Sequence, residues 1–373
     1  MISQIYGIIE KSGDFGGIMP YLLIAFISSF LLCLFLVKLK HKSHLDSLSG
    51  VQKFHSWHAP RTGGLAIFLS LIFAGIAFFI AGKDFSDKFI LVIISCVPVF
   101  SGGFIEDITK KVSSKIRLLS AFLSGILACF LLDANLLRVD IPYFDDVLKS
   151  SFIFSLLFTS FALAGVSNAI NIIDGFNGLA SGVSIIVFLS YAYVSFLVGD
   201  SFLLYLNLCI FASLMGFFLW NYPFGKIFLG DGGAYTLGFL AGLNGILLVK
   251  YHTQVSAWFP FLLLIYPIWE TVFSIWRKKY ARGLSPFKPD SIHLHMLIYK
   301  RIVRPKFRKI KKRLRNSLTS PYLWIVQILC TIPAVLFWRN TTVLIGFCIA
   351  FALFYVWLYF KIVKFKTPKI LRF

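Results

Sequence analysis

The chain has 373 residues, of which 58% are hydrophobic and 42 are phenylalanine, and its mean hydropathy is +0.81. That composition excludes an ordinary soluble domain and predicts an all-α polytopic membrane protein. The formal net charge of +21 raises nucleic acid as a partner, but the basic residues follow membrane topology instead, which argues for no nucleic acid.

Eleven apolar runs are long enough to cross a bilayer as helices, at about 20–37, 63–81, 89–105, 118–132, 151–173, 178–198, 201–220, 233–249, 257–276, 321–338 and 341–360. One integral-membrane domain over residues 1–373 accounts for them, with a large basic loop at about 277–320. With the N-terminus outside and the spans alternating, 30 of the 37 Lys and Arg fall on inner segments. Only Lys11, Lys83, Lys88, Arg138, Lys149, Lys250 and Arg339 fall outside. This bias predicts an outer N-terminus and a cytoplasmic C-terminus. The first twenty residues lack a basic region followed by an apolar core, so no cleaved signal is expected. The six cysteines lie inside spans without a C-x-x-C pair, which reads as core packing.

The first inner loop ends K-F-H-S-W-H-A-P-R-T-G-G, from Lys53 to Gly64. Lys53, His55, His58 and Arg61 suit phosphate contacts, although an ordinary positive-inside loop explains them too. The third span ends G-F-I-E-D-I, with Glu106 and Asp107 at its inner end. Adjacent carboxylates suit a metal or a general base, and equally a capped helix end with Lys110, Lys111, Lys115 and Arg117 as exposed partners. The outer loop carries Asp133, Asp140, Asp145 and Asp146 without the ligand spacing of a calcium cage, and reads as a solvated connector.

The next inner turn reads N-A-I-N-I-I-D-G-F-N-G-L-A-S-G, from Asn168 to Gly182. Amides and a carboxylate at the end of a charge-free span are costly in lipid and mark a polar cavity. Asn168 and Asn171 share one helix face. A tight turn explains Gly175 and Gly178 but not two asparagines inside the span. The loop from Asn221 to Gly238 sets Asp231 between Gly230 and Gly232 at a helix start, a place for phosphate and Mg²⁺ or for a common N-cap. Glu270 lies near the inner end of the ninth span. The segment after it contains R-G-L-S-P-F-K-P-D-S-I-H-L-H-M. His293 and His295, at i and i+2, do not share a helix face, so they are not a helical zinc pair and fit an irregular loop on a ligand. Lys300 to Arg315 carries ten basic residues among Ile, Val, Phe and Leu, which suits a segment on anionic lipid or a solvated loop.

All five polar clusters fall on the inner side, and the outer loops carry no comparable cluster. Carboxylates, amides, cations and Gly-rich turns at one membrane face suit a phosphate-rich soluble ligand, a divalent metal and a lipid. That combination points to phosphoryl transfer.

These motifs resemble the polyprenyl-phosphate N-acetylhexosamine-1-phosphate transferases, polytopic enzymes that begin bacterial envelope glycan synthesis. The resemblance runs from Lys53 to His295. It is carried by the Asn168–Gly182 motif in company with G-D-G-G, K-F-H-x-x-x-x-P-R-x-G-G, P-I-W-E-T and S-P-F-x-P-D-x-x-H-L-H. It looks closer to the branch acting on simple UDP-N-acetyl sugars than to the branch acting on UDP-muramoyl-pentapeptide, which carries a different three-histidine motif. Glu106 stands where the family has the first of two aspartates, Asn177 where it has a second aspartate, and Met296 where it ends His-His.

The resemblance implies a bacterial inner-membrane enzyme with Mg²⁺, or alternatively Mn²⁺. It implies a UDP-N-acetyl sugar (GlcNAc or a derivative) as donor and undecaprenyl phosphate as acceptor, starting an O-antigen (lipopolysaccharide) or related glycan. Asp231 and Asp174 are then the metal ligands, and Asp107, Glu106 and Asp174 the catalytic carboxylates. Asn168, Asn171 and Asn177 serve as amide partners, and Lys53, His55, Arg61, His293 and His295 engage the diphosphate or sugar. Anionic membrane lipids are expected neighbours, and a homodimer is compatible with this reading. Two rivals stay open. A lipid or solute transporter would place its polar residues at mid-membrane. A catalytically silent scaffold of the same descent would tolerate Glu106 and Asn177.

Overall fold

The structure is a computed structural model that describes residues 15–39, 59–281, 283 and 291–364. The described chain is helical because lipid leaves no water for an unpaired backbone group. Its helices are α1 (Phe15–Leu39), α2 (Gly63–Ile80), α3 (Ser86–Thr109), α4 (Ser114–Leu132), α5 (Phe144–Ser150), α6 (Phe152–Ile173), α7 (Leu179–Val198) and α8 (Ser201–Asn221). There follow α9 (Gly230–Tyr251), α10 (Trp258–Leu263), α11 (Ile265–Trp276), α12 (Leu294–Ile298), α13 (Lys312–Ser317), α14 (Ser320–Leu336) and α15 (Thr341–Val363). Polar side chains start several of them. The Ser151 hydroxyl accepts from Phe154 N–H, the Asp200 carboxylate from Leu203 N–H at 2.8 Å, and the Asn340 side chain from Val343 N–H at 3.1 Å. Each satisfies one of the donors that a helix start leaves open.

Ten helices among the described residues are long and apolar enough to cross a membrane. The ninth expected span, 257–276, is not among them, because it is broken at Leu264 into α10 and α11. Pro267 has no N–H to return to the Leu263 carbonyl, so a continuous helix loses that bond. Gln327 on α14 replaces it, its Nε2 donating to Leu263 O at 2.8 Å. The two pieces together run from one end of the bundle to the other. At one end Ser256 Oγ donates to Asp140 Oδ2 at 3.1 Å, and at the other Glu270 reaches His293.

Helix α9 forms the axis of the bundle. It is buried along its whole apolar window, packed against α6, α3 and α2. Glycines make the approaches close: a Cβ on Gly64 of α2 would collide with Gly233 N, and one on Gly103 of α3 would lie 2.6 Å from the Asp231 carbonyl carbon. Helix α1 lies outside this centre, against α8 and α2, with Leu23, Ile27, Leu31 and Phe35 facing outward. One end of the bundle is tied by Lys250 to Asp133, Arg138 to Asp140 at 2.9 Å, and His252 to Asp200 at 2.8 Å. The other end gathers Arg61, Glu106, Asp174, Asp231 and His293.

The charge bias predicts that the second of these ends faces the cytoplasm, and labelling checks it. All six native cysteines are buried and free, so they give little background. A cysteine at Asp146 should react with an impermeant maleimide in intact cells, and one at Lys111 only after permeabilisation. The reverse pattern would turn the protein over in the membrane.

Candidate active site

The site is built on the start of α9. Gly230 has φ +77, and a Cβ on it would lie 2.8 Å from the Asp107 carboxyl carbon. Only glycine takes that conformation in that space without strain. The turn aims two backbone donors at α3: Asp231 N and Gly232 N donate to Asp107 Oδ1 and Oδ2, each at 2.8 Å. Asp107 is 1% exposed, so it stands behind Asp231 and not in the cavity wall. Its neighbour Glu106 does line the cavity, with Oε2 accepting from Val112 N at 2.7 Å.

Asp231 projects forward between two guanidinium groups. Arg61 Nη2 donates to its Oδ1 at 2.9 Å and lies 3.4 Å from Asp107 Oδ1, and Arg117 Nη1 donates to its Oδ2. Arg117 also donates to Ser114 Oγ at 3.0 Å and lies 5.6 Å from the centre of the Tyr235 ring. Tyr235 OH in turn donates to Asn168 Oδ1 at 3.1 Å. From its sequence context Arg117 is expected to be an exposed partner, whereas it is largely buried against Asp231. One signal marks it: a cation in the first turn of a helix opposes the helix dipole and calls for a nearby anion.

In front of Asp231 lies a cavity of about 580 Å³. Asn168 and Asn171, one turn apart on α6, share its wall as their spacing predicted. Asp174 ends α6, and its carboxylate has no hydrogen-bond partner among the described residues. Burial pushes its pKa up to about 7, against the opposing pull of Arg61. Lys278, on the π-helical turn that continues α11, brings a third cation that the sequence reading did not single out.

Asn177 lines the cavity and is pinned from behind. Its N–H donates to Asn316 Oδ1 at 3.0 Å, its Nδ2 to Ser317 Oγ at 3.0 Å, and its carbonyl accepts from Ser320 Oγ at 2.6 Å. The next residue is held too, Gly178 N donating to Asn221 Oδ1 at 2.6 Å and Trp324 Nε1 to Gly178 O at 3.0 Å.

The two histidines have different surroundings. His293 lines the cavity, and its Nδ1 lies 2.9 Å from Glu270 Oε1. Glu270 is fully buried, and its Oε2 accepts from Tyr355 OH at 2.7 Å. Three helices thus fix one imidazole. His295 is stacked parallel to His293 at 5.4 Å between ring centres and lies beneath Gly175, outside the cavity wall. Burial, with the His293 charge, pushes the His295 pKa down to about 3, so its ring is neutral at ordinary pH. Met296 lines the cavity where the family's further histidine is absent. Lys53 and His55 lie outside the described residues.

Among the described residues no three Asp, Glu, His or Cys side chains converge into a preformed metal cage. Mg²⁺ does not require one, since it is ordinarily held by one or two carboxylates together with substrate phosphate oxygens. Asp174, with its unpartnered carboxylate, and Asp231 fit that donor set.

Residues 89–249 match the family model described as glycosyl transferase family 4. The chain is 29% identical over 249 residues to a probable undecaprenyl-phosphate N-acetylglucosaminyl 1-phosphate transferase of Bacillus subtilis, covering 65% of this chain and 66% of that one. It is 29% identical over 300 residues to a phospho-N-acetylmuramoyl-pentapeptide-transferase of Lactobacillus johnsonii, covering 74% and 90%. A phospho-N-acetylmuramoyl-pentapeptide-transferase of Staphylococcus aureus is 28% identical over 248 residues, covering 63% and 75%. The chain spans just under two thirds of the Bacillus relative, and the matched region contains Asp107, Asp174 and Asp231. Over residues 89–249 the chain is thus similar to glycosyl transferase family 4, within a multi-pass membrane protein.

Proposed function

We propose that the chain transfers a sugar 1-phosphate from a UDP-N-acetylhexosamine to undecaprenyl phosphate, releasing UMP, at the cytoplasmic face of the bacterial inner membrane. The observation that carries this reading is Asp231 held between Arg61 and Arg117, in one cavity with Asp174 and His293. Phosphoryl transfer asks a protein mainly for positioning and charge neutralisation. Arg61, Arg117 and Lys278 suit the diphosphate oxygens, Asn168 and Asn171 suit the nucleotide, and His293 suits the diphosphate or sugar.

In the proposed step a lipid-phosphate oxygen bonds to the β-phosphorus of the donor. The bond from that phosphorus to the bridging oxygen breaks, and UMP leaves with the electron pair. No strong base is needed, because a phosphate monoester is largely ionised near neutral pH. Asp107 acts here as a positioning residue, since both its oxygens accept the amides that aim Asp231. Asp231 and Asp174 would hold Mg²⁺, which supplies neutralisation of the diphosphate and stabilisation of the departing UMP.

The S-P-F-x-P-D-x-x-H-L-H motif, unlike a three-histidine one, supports a simple UDP-N-acetyl sugar over UDP-muramoyl-pentapeptide, and the product would start a cell-envelope polysaccharide. Two features weigh against the rival readings. The cavity lies at one end of the bundle, unlike a transporter's midplane site. Asn177 is built into a hydrogen-bonded turn, so the missing carboxylate there is compensated structurally.

UMP release from a panel of UDP-sugars, with undecaprenyl phosphate and with Mg²⁺ present or omitted, tests the reaction. Asp231→Asn should lose at least about 100-fold in turnover while keeping its melting temperature, because an amide cannot replace an anionic oxygen on a hard cation. Asp174→Asn should be severely impaired, and Glu106→Gln milder. Asp107→Asn should lose both turnover and about 1–3 kcal/mol of stability, since its amide group cannot accept both helix-start donors. An Asp107→Asn protein as stable as wild type would overturn the positioning role. Normal turnover by Asp231→Asn at limiting Mg²⁺ would overturn the metal assignment.

The two histidines separate in a second experiment. His293→Ala should cut kcat/KM for the nucleotide sugar by about 10- to 100-fold with the melting temperature unchanged. His295→Ala should instead lower the melting temperature, by emptying packed space under Gly175. Equal losses of donor affinity in stable forms of both variants would place both rings on the substrate.

A further inference from the structure

Residues 291–364 contain no Asp or Glu, yet Lys300–Arg315 within them holds ten Lys and Arg. The structure sorts that stretch into two faces. Ile302 and Val303 are buried and Phe307, Ile310 and Leu314 half-buried, whereas Arg304, Lys306, Arg308, Lys309, Lys311 and Lys312 are exposed. Among the described residues none of those six pairs with a carboxylate. Six like charges held along a packed backbone repel one another unless a counter-charge arrives from outside the chain.

Two further observations bear on the source of such a counter-charge. Lys312 opens the stretch that runs through α14 to Leu336 as a candidate span, so the basic face precedes the point where that span enters the membrane. The bases are strung along a line with apolar side chains turned the other way, as in a segment lying on a headgroup layer, and do not surround a pocket. The far end of the same stretch holds the cavity loops. Asn316 and Ser317 bind Asn177, Ser317 Oγ donates to Pro223 O, and Arg313 donates to the Phe224 carbonyl.

We propose that the exposed basic face of residues 304–312 docks anionic phospholipid headgroups at the cavity end of the bundle, and that this docking seats α13 against the Asn177 turn. The proposal deepens the transferase reading by making the membrane's charge a regulator of that site. Headgroups neutralise the repulsion along the face. The strap can then lie flat, and its last two polar residues stay in register with the turn that follows Asp174.

The Asn177 amide reports the seating directly, because it donates to Asn316 Oδ1. The full-length protein is placed in nanodiscs of phosphatidylcholine alone or mixed with phosphatidylglycerol, and hydrogen exchange is followed at Asn177 and over residues 304–318. In wild type the Asn177 amide should exchange at least about fivefold more slowly with phosphatidylglycerol present. The variant Arg304→Gln, Arg308→Gln, Lys309→Gln, Lys312→Gln should lose that difference. Asn316→Ala should keep the lipid-dependent protection of residues 304–312 and lose it at Asn177. Inorganic phosphate added to phosphatidylcholine discs should not reproduce the protection. Equal exchange of the wild type in both discs, a lipid effect surviving in the quadruple variant, or full protection by phosphate would each overturn the proposal. UMP release is measured on the same discs. If no UMP appears while the exchange difference persists, the transferase reading fails and lipid docking stands.

Discussion

Two backbone N–H groups at the start of α9 have no helical carbonyl to bond, and in the buried centre of this bundle no bulk water replaces one. Asp107 accepts both. Much else follows from that demand. The carboxylate must be buried, which costs free energy unless it is hydrogen-bonded and faces a cation. Arg61 supplies the cation at 3.4 Å. The donors must come close, which requires Gly230 with its positive φ and a near contact between α3 and α9 at Gly103. Once α9 is held this way, Asp231 has a single direction in which to project, toward Arg61, Arg117 and the cavity.

The same pair of neighbours shows why adjacency in sequence is a poor guide to role. Glu106 and Asp107 read as one acidic unit, yet successive helix positions point about 100° apart. One side chain reaches the cavity wall, and the other is driven into the helix contact. His293 and His295 divide in the same manner. The first is gripped by Glu270 from the side away from the cavity, and the second fills space beneath a glycine of the neighbouring turn.

What could be read from sequence was polarity set against an apolar background. Asn168, Asn171, Asp174 and Asp231 stood out against the apolar spans beside them, and helical spacing put Asn168 and Asn171 on one face. The helical fold was legible for the same reason. Arg117 and Lys278 were hidden because basic residues are ordinary at the inner ends of spans. Asn316 and Ser317 lay inside a basic run that drew attention to its charge. Tyr355 sits in an apolar helix far along the chain from Glu270, and only the packing of α15 on α11 brings them together. The break in the ninth span was foreshadowed by Pro267, but its tolerance depended on Gln327 supplying a donor from another helix.

The charge balance of the cavity bears on how its ligands arrive. Arg61, Arg117 and Lys278 face Glu106, Asp174 and Asp231, so the wall is formally close to neutral. A nucleotide-sugar diphosphate entering such a site brings negative charge into a low-dielectric space where an unpaired anion is costly. The two arginines cannot neutralise it freely while both hold Asp231. Asp231 and Asp174 would hold a divalent cation brought in with such a ligand, and Arg61 and Arg117 would then be released to pair with its phosphates. On this argument the wall is neutral because its cations are held in reserve. Asp231 keeps both arginines ordered and would give them up to phosphate oxygens once a cation took its charge.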